Sequence, residues 1–181
     1  MDSARKFSRV TIFLHWIVGL TIIGLTCLGL YMKNFEVFAL YPIHKSIGVL
    51  IAIFVLLRAW WRFINGWPTP VRQYPKIEQF MAHMTHWVLI IGSILMPVSG
   101  FMLSSFSGHG VSMFGWELVA GQHAANGEAI PYNEFLSQVG DITHTSVGYV
   151  LVIAISLHIL GAVKHHFLDR DLTLLRMLGR G

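Results

Sequence analysis

Four stretches of this chain are too long and too apolar for a water-soluble fold: roughly Val10–Met32, Ile43–Ile64, Phe80–Phe106 and Asp141–Phe167. Each exceeds the ~18 residues that mark a transmembrane helix. Backbone in hydrocarbon must satisfy its own hydrogen bonds, and a helix does so without help from neighbours. Composition agrees: 12% of the residues are charged, 54% are hydrophobic and the mean hydropathy is +0.60. A soluble domain is about 25% charged. The chain therefore reads as all-α, an integral membrane four-helix bundle, with residues 1–181 as one transmembrane domain. The longest connection, Ser107–Gly140, reads as glycine-rich and irregular.

Lysine and arginine collect on the cytoplasmic side of a membrane protein. With the N-terminus inside, the inner segments hold Arg5, Lys6, Arg9, Arg58, Arg62, Arg72, Lys76, Lys164, Arg170, Arg176 and Arg180, and the outer segments hold Lys33 and Lys45. Both termini are thus expected in the cytoplasm. The pI near 9.5 follows from this asymmetry and is no sign of nucleic-acid binding. The first apolar run exceeds the 7–15 residues of a signal-peptide core, so it reads as a retained span. Cys27 is the sole cysteine, which excludes an internal disulfide and a Cys-x-x-Cys-His haem attachment site.

Histidines inside the spans carry the chemistry, because an ionisable ring in a hydrophobic helix is a functional-site hypothesis by default. On the fourth span His144 and His158 are fourteen residues apart, ~21 Å of helical rise and roughly 40° short of four full turns. They face nearly the same side at two depths. His44 lies near the outer end of the second span, just behind Tyr41-Pro42, with Arg58 on the same face at the inner end. Arg58 either anchors the helix at the headgroups or pairs with an anionic group of a buried cofactor. His15 on the first span, and His83 and His86 on the third, lie toward the inner side. Gly19, Gly24 and Gly29 allow a neighbouring backbone or a flat macrocycle to come close. Pro97 is expected to kink the third span. His109 and His123 fall in the outer loop and read as surface residues.

Two imidazoles from facing helices, one on each side of a planar macrocycle, make a six-coordinate iron site suited to electron transfer. The core of a helical bundle is where such sites are built. Imidazole also suits zinc, but a closed zinc site needs four ligands, and no embedded carboxylate or thiolate stands beside these histidines. Two haems at two depths are expected. The outer one has a single intramembrane pair, His44 with His144. The inner one has His158 and a choice among His15, His83 and His86.

The chain resembles the prokaryotic cytochrome b561 family, the four-helix di-haem b proteins of bacterial inner membranes. The likeness rests on Leu14-His15-Trp16, Ile43-His44-Lys45-Ser46-Ile47-Gly48, Arg58 with Pro68-Thr69-Pro70, and Ala82-His83-x-x-His86. It continues through His144, His158, Lys164-His165-His166-Phe167 and Asp171–Met177. The resemblance implies His15 as the second inner ligand, leaving His83 and His86 for propionate contacts or a proton relay near a quinone. It also implies ubiquinone as electron acceptor and an activity against superoxide on the periplasmic side.

Three functions compete. The first is a di-haem b oxidoreductase passing electrons from a small periplasmic donor, with superoxide foremost, to ubiquinone. The second is an electron-transfer subunit serving a separate dehydrogenase or hydrogenase, which requires a protein partner. The third is a membrane protein whose histidines are structural or hold another metal. An anionic donor should be drawn by positive charge, and Lys45 adjoins His44 on a face otherwise poor in cations, so Lys45 is the expected entry point. A lysine snorkelling to the headgroups is the plainer alternative.

Overall fold

The structure is a computed structural model that describes residues 6–180, so Arg5 of the charge count lies outside it. Four long helices carry the expected spans, each apolar enough to cross a membrane. Helix α1 covers Arg9–Phe35 and α2 covers Tyr41–Asn65, while α3 covers Lys76–Phe106 and α4 covers Glu134–Phe167. The ends follow from local chemistry. Ser8 accepts a hydrogen bond from the Thr11 amide at 3.2 Å and caps α1, and Pro42 sits in the first turn of α2, where a missing N–H costs nothing. Gly66, at φ 65°, stops α2, and α3 runs through Pro97 as one helix.

The largest departure from the sequence expectation is in α4, which starts at Glu134 rather than Asp141, because the Asn133 side chain accepts from the Leu136 amide at 3.0 Å and caps a mixed polar and apolar stretch ahead of the long apolar run. The Ser107–Gly140 connection is therefore shorter, and a short hairpin orders part of it. Strand β1, Val111–Met113, pairs antiparallel with β2, Trp116–Val119. The two-residue turn between them, Phe114-Gly115, has φ of 48° and 91°, as a hairpin that matches strand twist requires. Ser46 on α2 holds this hairpin by accepting the Phe114 amide at 3.1 Å. One end of the bundle is thus a hairpin face and the other a termini face. On the latter a short helix, α5 (Thr173–Met177), folds back under the bundle. Trp16 Nε1 donates to the Met177 carbonyl at 2.9 Å, and the buried Arg176 guanidinium lies 4.2 Å from the Phe7 ring centre.

Packing between the helices is uneven. The α3 and α4 helices lie against each other along their length, whereas α4 meets α1 only sparsely. Glycines make the close contact possible. A Cβ on Gly92 would fall 2.7 Å from Leu151 Cδ2, and one on Gly140 would fall 2.6 Å from the Leu103 backbone nitrogen. The apolar core lies at mid-depth: Val18, Ile22, Leu25, Ile51, Val55 and a fully buried Leu151.

Candidate functional site

Seven-residue spacing on every helix stacks the core into three layers. The series are His15, Ile22, Gly29 on α1; Arg58, Ile51, His44 on α2; His86, Ser93, Gly100 on α3; and His158, Leu151, His144 on α4. Two turns of helix separate successive members, so each series keeps to one face. In the middle layer Ile22, Ile51 and Leu151 pack together. Above it, toward the hairpin face, the rings of His44 and His144 stand with centroids 6.2 Å apart. Below it, toward the termini face, those of His15 and His158 are 6.0 Å apart.

Each imidazole of the hairpin-side pair rests on a glycine of a helix that supplies no histidine to that layer. A Cβ on Gly29 would lie 3.4 Å from His44 Cε1, and one on Gly100 would lie 2.9 Å from His144 Cε1. His144 Nδ1 is 3.0 Å from the Met96 carbonyl and 3.2 Å from Ser99 Oγ. His44 Nδ1 is buried with no hydrogen-bond partner among the described residues. Lys45 turns away from this pair, its ammonium donating to the Gly110 carbonyl at 3.0 Å. It ties the loop before β1 to α2.

On the termini side His15 and Arg58 line one cleft with Thr11, Trp61, Arg62 and Met177. Among the described residues no carbonyl or carboxylate pairs with Arg58. His86 also approaches His158, with centroids 5.1 Å apart. His83 and His86 flank the Trp67 ring, at 5.3 and 6.0 Å between centroids. Their Nδ1 atoms bond to carbonyls of their own helix, His83 to Gln79 at 2.9 Å and His86 to Ala82 at 2.6 Å. His109 and His123 are exposed in the loop, His109 against Ser107 Oγ at 3.0 Å.

A polar cluster that sequence reasoning missed closes the termini face. Tyr74 donates to Asp171 Oδ2 at 2.6 Å, the Thr173 amide donates to Asp171 Oδ1 at 2.8 Å, and Lys164 bridges Glu78 and Asp169. Burial pushes the Asp171 carboxyl up, but the hydrogen bonds it accepts from Tyr74 and Thr173 outweigh that and hold it below the usual carboxylate range. Burial and the Asp171 contact raise the Tyr74 phenol. Glu78, His165 and Asp169 are close enough to share a cation, and the Lys164 ammonium already lies between the two carboxylates.

The two histidine pairs fit haem iron. A metal–imidazole bond of ~2.0–2.1 Å puts two rings on opposite sides of one metal at centroids roughly 6.3 Å apart, close to both observed spacings. Gly19, Gly48 and Gly148 each lie four residues beyond a paired histidine, on its face of the helix. A Cβ on Gly19 or Gly48 would meet nothing within 4 Å, and one on Gly148 would meet only Met96 Cε at 3.9 Å. This is room for a flat ring beside the imidazoles.

Cytochrome b561 homolog 2 of Escherichia coli (strain K12) is 28% identical over 99% of this chain and 94% of its own length. Cytochrome b561 homolog 1 of the same organism is 26% identical over 97% and 98%. A Yersinia pestis protein named probable superoxide oxidase CybB is 26% identical over 96% of both chains. The family described as prokaryotic cytochrome b561 matches residues 6–180. The chain belongs to that family, and is a multi-pass membrane electron-transfer protein of the kind that binds haem b.

Proposed function

We propose that the chain holds two haems b, one between His44 and His144 and one between His15 and His158, and carries electrons from a small donor at the hairpin face to ubiquinone at the termini face. The observation that carries this reading is the pair of matched imidazole spacings, 6.2 and 6.0 Å, at two depths on one helix. Bound haem supplies the one-electron chemistry, and the protein's work is to hold, insulate and charge-balance it. The Leu151 layer keeps water out between the two sites. Arg58, which pairs with no carbonyl or carboxylate among the described residues, suits a propionate of the termini-side group.

Superoxide is the donor favoured by the name of the Yersinia pestis relative. Two superoxide anions would each lose one electron to leave dioxygen, while one quinone takes two electrons and two protons. Lys45 would draw the anion toward His44, since a backbone carbonyl partner leaves its charge intact. At the other face Trp67 offers a flat, partly exposed ring beside His83 and His86. Their Nδ1 hydrogens go to carbonyls, which leaves each Nε2 to exchange a proton with a quinone oxygen. The lysine and arginine asymmetry supports a bacterial inner-membrane placement with both termini in the cytoplasm.

Purified protein should show reduced b-type absorption bands at two haems per chain, and the isolated chain should consume superoxide only when quinone is present. Absence of the bands would overturn the haem assignment. Two haems with no quinone-dependent consumption would favour the second reading, a cytochrome subunit serving a protein donor. The exposed Phe114 and Trp116 on the hairpin are the feature that favours such docking.

A further inference from the structure

Resting on the two-haem reading, we propose that α3, which gives no ligand to the hairpin-side pair, fixes the tautomer of His144 and lowers the reduction potential of the haem held there, acting through Ser99 and the Met96 carbonyl. The Met96 carbonyl, 3.0 Å from His144 Nδ1, can only accept. Ser99 has one hydroxyl hydrogen, and the Leu95 and Met96 carbonyls, at 2.6 and 3.1 Å, both stand to accept it. What Ser99 Oγ turns to His144 at 3.2 Å is therefore a lone pair. Ser99 is 2% exposed, so nothing from outside competes for it. Two acceptors around one ring nitrogen require that nitrogen to carry the hydrogen. The lone pair of the neutral ring is then at Nε2, the metal-binding atom.

Such a bond makes the imidazole a more basic ligand, and a more basic ligand favours ferric over ferrous iron. The partner ring has no counterpart: His44 Nδ1 is buried and unbonded among the described residues. The termini-side pair lacks one as well, for no acceptor bonds a ring nitrogen of His15 or His158 among those residues. The cradle would therefore lower the potential of the hairpin-side haem, the direction that favours passage of an electron from there toward the termini side. Gly100 completes it, since a Cβ at that position would press on His144 Cε1 and Nδ1 at 2.9 and 3.1 Å.

The test is a redox titration of haem-loaded protein, followed by visible absorption and by the low-spin ferric resonance signals. Ser99→Ala should keep two haems, raise the midpoint of one and shift its resonance signal, leaving the other where it was. Ser99→Thr should restore the parent value. In a His158→Ala background, which retains only the hairpin-side haem, the same rise should appear. Gly100→Ala should disturb that one haem's signal or release it. Unmoved potentials in Ser99→Ala, equal shifts of both haems, or an untouched signal in Gly100→Ala would each overturn the cradle. Parent protein that binds no haem would instead overturn the two-haem reading beneath it.

Discussion

His86 stands edge-on to His158, with ring centroids 5.1 Å and planes 87° apart. That is well short of the roughly 6.3 Å expected for two imidazoles on opposite sides of one metal, and of the 6.0 Å between His15 and His158. The spacing supports His15 as the second residue of the proposed termini-side pair, with His86 beside it. His15→Ala should therefore lose one of two haems, as should His158→Ala, while His86→Ala should keep both. Haem-to-protein ratios measure this. Loss of haem from His86→Ala with two haems kept in His15→Ala would transfer the ligand to α3.

Independence of the two layers gives a second expectation. His44→Ala and His144→Ala should each remove the hairpin-side haem and leave the other, because Leu151 and its neighbours separate the sites. Two full haems in both variants would defeat the pairing.

Lys45 is poised for a rate effect. Lys45→Glu should slow superoxide oxidation with both haems retained, and Lys45→Gln should fall between it and the parent. The difference should be greatest at low salt, since a Debye length of ~10 Å at 0.1 M screens exposed charge. Steering of this kind changes association and not potential. Stopped-flow rates at several salt concentrations decide it. Equal rates for the three proteins would leave Lys45 with its contact to Gly110 alone.

Asp171 makes the C-terminal segment acid-sensitive. A carboxyl held below its ordinary value of ~3.9 stabilises the fold fully above that pH, and the contribution is lost as pH falls through the folded-state value. Below about pH 4, residues 168–180 should exchange amide hydrogens faster, after correction for intrinsic rates, before the spans do. At pH 7 Asp171→Asn should open the same segment by about 1–3 kcal/mol. Parent-like exchange in that variant would mean that Asp171 does not hold this segment.

Close packing of α3 on α4 gives a further expectation. Gly140→Ala places a Cβ 2.6 Å from a backbone nitrogen, which cannot swing aside as a side chain would. It should cost about 1–3 kcal/mol of stability, seen as a lower thermal midpoint in detergent. An unchanged midpoint would mean the helices separate freely there.

Much of this was legible in the sequence because membrane helices advertise themselves: the four apolar runs, and histidines within them, mark spans and candidate ligands without any tertiary information. The seven-residue ladders were also present, and they put Ser93 and Gly100 on one face of α3 and Leu151 and His144 on one face of α4. Which helix faces which is not written in one helix's periodicity, so His15, His83 and His86 stayed open beside His158, and only ring distances bear on the choice among them. The hairpin escaped because its turn puts Phe114, a bulky residue, at φ 48°, with none of the Asn-Gly or Asp-Gly signals that announce such turns. The early start of α4 escaped because Ser137, Gln138 and Gly140 interrupt the apolar residues of its first turns, which therefore fall outside the hydrophobic window. Ser99 looked like any small residue in a span, and its use shows only in where its hydroxyl hydrogen goes.

The sparse contact between α4 and α1 bears on how such a chain comes together in a cell. Imidazoles, more than packed backbones, join α1 to α4. Haem held from both sides would act there as a keystone, since a ligand that binds only the assembled form stabilises it by mass action. Its supply during synthesis would then govern how much protein survives quality control, and haem-starved cells should clear the chain before any electron has crossed it.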